Sequence, residues 1–132
     1  MADLFPVLRV LSVLLAMFGA SMAVPLAASW LTEDGLWLTY VGSAAITWAV
    51  GAMLWLQTGH HRRELLPRHG VMLVSMVWVV LPVFAALPLL FATHELGRPL
   101  SFTHAYFEAV SGLTTTGGTV MTDLDDLPLS VN

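Results

Sequence analysis

The sequence predicts an all-α membrane protein, with three transmembrane helices followed by a short re-entrant helix and an extended Thr/Gly-rich loop. Three observations carry that prediction. The chain of 132 residues is 57% hydrophobic and only 11% charged, against roughly 25% charged in ordinary globular proteins. Its mean hydropathy is +0.78. The apolar residues gather in three long blocks, not in the alternating runs of a sheet. Cysteine is absent, which excludes a disulfide framework and a thiolate metal site. The net charge of -4 says little by itself, because in a membrane protein the placement of charge matters more than its sum.

The first block, Val10 to Ser29, carries no formal charge and has the ~20 residues that cross ~30 Å of hydrocarbon at 1.5 Å per residue. Pro25 is tolerated there if neighbours satisfy the freed carbonyl. A signal peptide is the rival reading, given Arg9 before the block and Ala27 and Ala28 at its end. It ranks second, because the block exceeds the ~7–15 residues of a typical signal core and further spans follow. The second block, Leu36 to Gln57, places Trp37 and Tyr40 at one end and Trp55 at the other, where amphipathic rings favour the interface. Gly42, Ser43, Ala44, Ala45, Gly51 and Ala52 give it small faces for close helix packing. The third block, Val71 to Ala92, carries Pro82 and Pro88.

Orientation follows from the loops. Arg62, Arg63 and Arg68 lie between the second and third blocks, whereas the loop between the first and second holds Glu33 and Asp34 and no base. The positive-inside rule puts the arginine loop and the N-terminus in the cytoplasm, and residues after Ala92 on the outer side.

Beyond the third block, Phe102, Ala105, Tyr106, Ala109 and Val110 form an apolar stripe at helical spacing, with Ser101 as N-cap and Gly112 as the stop. Residues 101–112 reach only ~16 Å, about half the hydrocarbon thickness. Such a helix dips in without crossing; from this stretch alone, lying flat on the surface is the commoner outcome. The following Leu113-Thr114-Thr115-Thr116-Gly117-Gly118-Thr119-Val120 shifts that balance. It sets three β-branched residues, stiff in extended conformation, before two glycines free to take positive φ. Exposed backbone at membrane depth is tolerated only where protein buries it or where water and ions solvate it. Carbonyls aimed to one side replace the hydration shell of potassium. The short helix, entering from outside, turns its negative C-terminal end toward mid-membrane, where it favours a cation.

The stretch from Ala105 to Thr119, Ala-Tyr-Phe-Glu-Ala-Val-Ser-Gly-Leu-Thr-Thr-Thr-Gly-Gly-Thr, with Leu124-Asp-Asp-Leu-Pro128 beyond it, resembles the first pore helix and selectivity filter of the Trk-type potassium uptake channels, the TrkH branch of the Trk/Ktr/HKT superfamily. Glu33-Asp34-Gly35, Gly51-Ala-Met-Leu-Trp55, Arg63-Glu64-Leu65, Arg68-His-Gly70 and Ala86-Leu87-Pro88 agree in support. The resemblance implies two accessory helices and a basic cytoplasmic loop over residues 1–69. It implies a first, incomplete pore repeat over 70–132, with a helix at 71–92, pore helix at 101–112, filter at 113–118 and outer loop at 119–132. The filter positions fall on Thr114, Thr115, Thr116 and Gly117, with potassium at the carbonyls of Thr115 and Thr116. Gly118 stands where the family often has alanine, and the chain stops at Asn132 before the helix that should close the repeat. The resemblance further implies a homodimer of full-length subunits and a cytosolic nucleotide-binding regulatory subunit.

Other candidate sites have weaker grounds. His60 and His61 beside Arg62 and Arg63 lack a carboxylate cluster for a metal and read as a solvated loop. Asp123, Asp125 and Asp126 lack the glycine and distal glutamate of a calcium loop and read as acids concentrating cations at the outer mouth. Glu108 is the carboxylate at membrane depth, read with Gly112 as structural support of the short helix: a hydrogen-bonding brace more than a conducting group. No nucleophile, base and orienting group occur together and no phosphate-binding glycine loop follows a strand, so the sequence gives no positive sign of an enzyme, an organic cofactor or nucleic-acid binding. The sequence thus points to potassium uptake across the cytoplasmic (inner) membrane, in contact with lipid. The alternative is a truncated, non-conducting membrane protein or assembly module.

Overall fold

A computed structural model describes residues 4–59, 66–122, 127–128 and 130–131. Helices α1 (Leu4–Ser21) and α2 (Ala23–Thr32) make one apolar span of Leu4–Thr32, α3 (Trp37–Thr58) a second and α4 (Pro67–Glu95) a third, and α5 (Phe102–Leu113) is the short helix. All three spans are long and apolar enough to cross a membrane. Among the described residues there is no strand.

The first span breaks at Met22. Pro25 has no N–H for the carbonyl of Ser21, four residues back, and its ring crowds that carbonyl, so the chain resets and Leu26 N–H bonds Met22 at 3.2 Å. Pro82 and Pro88 leave α4 continuous.

Helix α1 packs on α3 and α4, α2 on α3, and α5 on α4. The α1–α3 contact is close because small residues line it. Ser43, Thr47 and Gly51 follow one another at four-residue steps on the buried face of α3, and Gly51 meets Ser12 and Leu15 of α1. Buried hydroxyls here are satisfied within their own helix: Ser43 donates to Thr39 and Thr47 to Ser43, each at 2.8 Å. Gly51 is the glycine at this contact, with the Ser12 carbonyl 3.3 Å from where a Cβ would stand, while Gly42 faces open space. Farther along, the Trp48 indole lies over Gly19 and donates to Ala16 O at 3.0 Å. Arg9 sits 4.5 Å from the Trp55 ring centroid, joining α1 to α3 at their other ends.

Trp37 and Trp55 are exposed, whereas Tyr40 is 3% exposed and packs with Leu36 and Ala92. Arg68 is on α4, whereas His60, His61, Arg62, Arg63 and Glu64 lie outside the described residues.

Candidate functional site

Helix α5 starts where Ser101, in extended conformation, caps it: the Ser101 hydroxyl accepts the His104 N–H at 3.3 Å. Of the apolar stripe, Ala105 and Ala109 are the buried members, meeting Ala86 of α4 with Ala85, Leu89 and Leu90 around them. Alanines facing alanine let the two backbones approach. Phe102 stays exposed, and Tyr106 donates its hydroxyl to Val79 O at 3.2 Å.

The helix does not stop at Gly112. It runs on to Leu113 and closes with Thr116 N–H to Ser111 O at 2.9 Å and Thr115 N–H to Gly112 O at 3.1 Å. That pair of bonds is a Schellman closure, and it demands a left-handed residue at Thr115, where φ is +55°. Helix α4 ends in the same way, Arg98 N–H to Thr93 O and Gly97 N–H to His94 O, but with glycine at the left-handed position, φ +72°. Residue preference alone points to Gly112 as the stop and to an extended threonine run. Instead the β-branched Thr115, three residues past Gly112, holds the left-handed site, because the carbonyls that accept the closing bonds are those of Ser111 and Gly112.

Residues 114–117 therefore form a turn of alternating handedness. Thr114 has φ -89°, Thr115 φ +55°, Thr116 is not in the positive region, and Gly117 has φ +72°. Alternation in the sign of φ keeps this stretch from being the simple strand in which successive carbonyls point to opposite sides. Among the described residues, no donor reaches the carbonyls of Thr114, Thr115, Thr116 or Gly117. The hydroxyls of Thr114 and Thr116 bond each other at 2.7 Å, and Thr114 also donates to Val110 O at 2.7 Å.

The limb leaving the turn is tied back to α5 twice. Ser111, 5% exposed, donates its hydroxyl to Gly118 O at 2.6 Å. One turn earlier, Glu108 Oε1 accepts the Thr119 hydroxyl and the Val120 N–H, both at 2.6 Å, and the Met121 N–H at 3.2 Å. Neither Ser111 nor Thr119 carries a chemical motif; the signal for Ser111 is its place three residues after Glu108, on the same helix face. Asp123, Asp125 and Asp126 lie outside the described residues.

A second polar cluster lies at the loop before α3. The Asp34 carboxylate accepts the Ser29 hydroxyl, the Thr32 hydroxyl at 3.2 Å, the Leu36 N–H at 3.0 Å and the Ser130 hydroxyl. Burial pushes this carboxyl up, but the hydrogen bonds from Ser130, Ser29, Leu36 and Thr32 outweigh it and hold the group below its usual 3.8.

The family model described as TrkH, cation transport protein, matches residues 39–132. The Trk system potassium uptake protein TrkH of Halomonas elongata is 42% identical over 125 residues, which cover 95% of this chain and 25% of that protein. The protein of the same name from Escherichia coli K12 is 33% identical over 123 residues, covering 93% and 25%. Among solved structures, the potassium transporter TrkH from Vibrio parahaemolyticus superposes with a TM-score of 0.86 at 35% identity, covering 96% of this chain and 26% of that one. The chain thus spans about a quarter of the length of these relatives.

Proposed function

The chain belongs to the TrkH family of cation transport proteins, and from that premise we propose that it contributes one wall of a potassium-selective filter, with α5 as a re-entrant pore helix. One observation carries the reading: residues 114–117 alternate in handedness while their carbonyls accept no hydrogen bond among the described residues. Carbonyls left without donors are costly at membrane depth unless an ion or water takes their place. Potassium, a weakly hydrated cation, is the cargo suited to backbone carbonyls, and Thr115 and Thr116 are the residues assigned to it. Glu108 and Ser111 keep the outgoing limb from collapsing onto them. The outer-mouth role of Asp123, Asp125 and Asp126 belongs to the same reading.

The chain is placed in the cytoplasmic membrane with its N-terminus inside, so that α5 enters from the outer face and turns its negative end toward the ion. Pairing with a second full-length subunit and gating by a cytosolic nucleotide-binding subunit are further parts of this proposal, which the family resemblance supports. The test is a chimera in which this chain replaces the aligned quarter of the Halomonas elongata protein. It should restore growth at low potassium and take up potassium in preference to sodium. Normal membrane abundance without uptake would instead favour a non-conducting assembly module.

A further inference from the structure

Asp34 has more donors than its own loop requires. Ser29, Thr32 and the Leu36 N–H already satisfy a carboxylate between two helices, yet a fourth donor, Ser130, comes from 96 residues away, beyond the filter turn. Ser130 is held at its other end too, because the Tyr40 hydroxyl donates to its carbonyl at 2.6 Å. Val131 packs beside them on the cluster of Leu36, Tyr40 and Ala92. Burial of Tyr40, unexpected for an aromatic at a helix end, follows from this contact.

We propose that Asp34 is a positioning residue for the pore entrance: through Ser130, and with Tyr40, it latches the limb that leaves the filter onto the hairpin of α2 and α3. The inference rests on the filter reading above. Glu108 and Ser111 fix the near end of that limb at residues 118–121, and Asp34 and Tyr40 fix its far end at Ser130. A shift of the hairpin of α2 and α3 is thereby carried to Ser130, on the same stretch of chain that Glu108 and Ser111 hold at its start. Releasing the far pin leaves the turn supported from one side only.

Because the chain has no cysteine, Val131→Cys provides a single thiol for labelling from outside with a membrane-impermeant maleimide. In the full chain in membranes, Asp34→Ala and Ser130→Ala should each raise the labelling rate by about tenfold, the lower end of what a hydrogen bond to a charged group is worth. The double variant should label no faster than Asp34→Ala alone, and Ser130→Thr, which keeps the hydroxyl, should label like the parent. In the chimera, Asp34→Ala should raise the potassium concentration needed for half-maximal uptake and narrow the preference over sodium at unchanged membrane abundance. Unchanged labelling in both alanine variants would remove the latch. Faster labelling with unchanged ion preference would remove its positioning role. Failure of the filter reading would show separately, as indifference of the same chimera to Gly117→Ser whatever the labelling rates.

Discussion

Glu108 accepts the backbone N–H of Val120 at 2.6 Å on the same oxygen that takes the Thr119 hydroxyl and the Met121 N–H. One carboxylate oxygen thereby organises three consecutive residues of the limb beyond the filter turn. Ser111, one helical turn on, does the same for Gly118. The face of α5 that carries Glu108 and Ser111 is therefore the template on which the loop is laid.

All three bonds to Glu108 converge on a single oxygen, so an amide serves nearly as well as a carboxylate. Glu108→Gln should keep most potassium uptake in the chimera, losing only the difference between a charge-assisted and a neutral hydrogen bond, about 1 kcal/mol. Glu108→Ala leaves the Val120 N–H without its acceptor and the Met121 N–H with the Thr119 hydroxyl alone, and it should lower uptake more than tenfold. Loss of uptake in the glutamine variant, at normal membrane abundance, would mean that the charge itself is required.

Thr115 and Gly97 occupy equivalent positions in two Schellman closures, which makes them a matched pair. No heavy atom lies within 4 Å of a Cβ built on Gly97, so Gly97→Ala is penalised by conformation alone, by about 1–2 kcal/mol for a left-handed residue. Thr115→Gly relieves the same penalty but adds the entropy of a freer unfolded chain, about 0.5–1 kcal/mol, and should be neutral or mildly stabilising. Thermal unfolding of the chain in detergent measures both. A Gly97→Ala variant as stable as the parent would disprove the left-handed closure of α4.

Gly19 lets α1 and α3 meet through the Trp48 indole, whose Nε1 lies 2.5 Å from where a Cβ would stand. Gly19→Ala should displace that ring, break its bond to Ala16 and destabilise the pair by about 1–3 kcal/mol. Combining it with Trp48→Phe should recover part of the loss. Additive losses in the double variant would show that the two residues do not share this contact.

Orientation is checked with the same cysteine-free background. Thr32→Cys should label from outside intact cells, and Gly59→Cys only after the membrane is permeabilised, because the arginines follow Gly59 and the acids Glu33 and Asp34 follow Thr32. Outside labelling at Gly59 would reverse the entry direction of α5.

Much of this structure is legible in the sequence, because hydropathy and helical period report directly on which surfaces face lipid or core. The three spans, the capped start of α5 at Ser101 and its Ala105–Ala109 face follow from that logic. Contacts between distant segments do not. Nothing local to Asp34 or Tyr40 announces Ser130, since a hydrogen bond closing 96 residues leaves no periodicity. The left-handed residue that closes α5 is hidden for a related reason: glycine preference names the cheapest left-handed residue, but the backbone bonds to Ser111 and Gly112 decide which residue must take that shape.

Gly117 is the position at which the turn depends most on having no side chain. Its φ is +72°, and a Cβ there would meet nothing within 4 Å, so a substitution is opposed by backbone conformation and not by crowding. Serine should cost about 1–2 kcal/mol if the left-handed shape is kept. If the shape relaxes, the alternation in the sign of φ along residues 114–117 is lost. Either way the turn changes before the fold does, since α5 and its packing on α4 end before this residue. Gly118 is the control. It lies outside the positive-φ set, and an added Cβ would rest 3.5 Å from Phe107 Cζ and 3.7 Å from Ser111 Oγ, ordinary contact distances. In the chimera, Gly117→Ser should narrow the preference for potassium over sodium by roughly tenfold or more, the equivalent of about 1.4 kcal/mol, while Gly118→Ala stays close to the parent. Measuring uptake of both ions at matched membrane abundance decides it: equal selectivity in the Gly117→Ser variant would take this turn out of the ion path and leave α5 as a helix lying at the membrane surface.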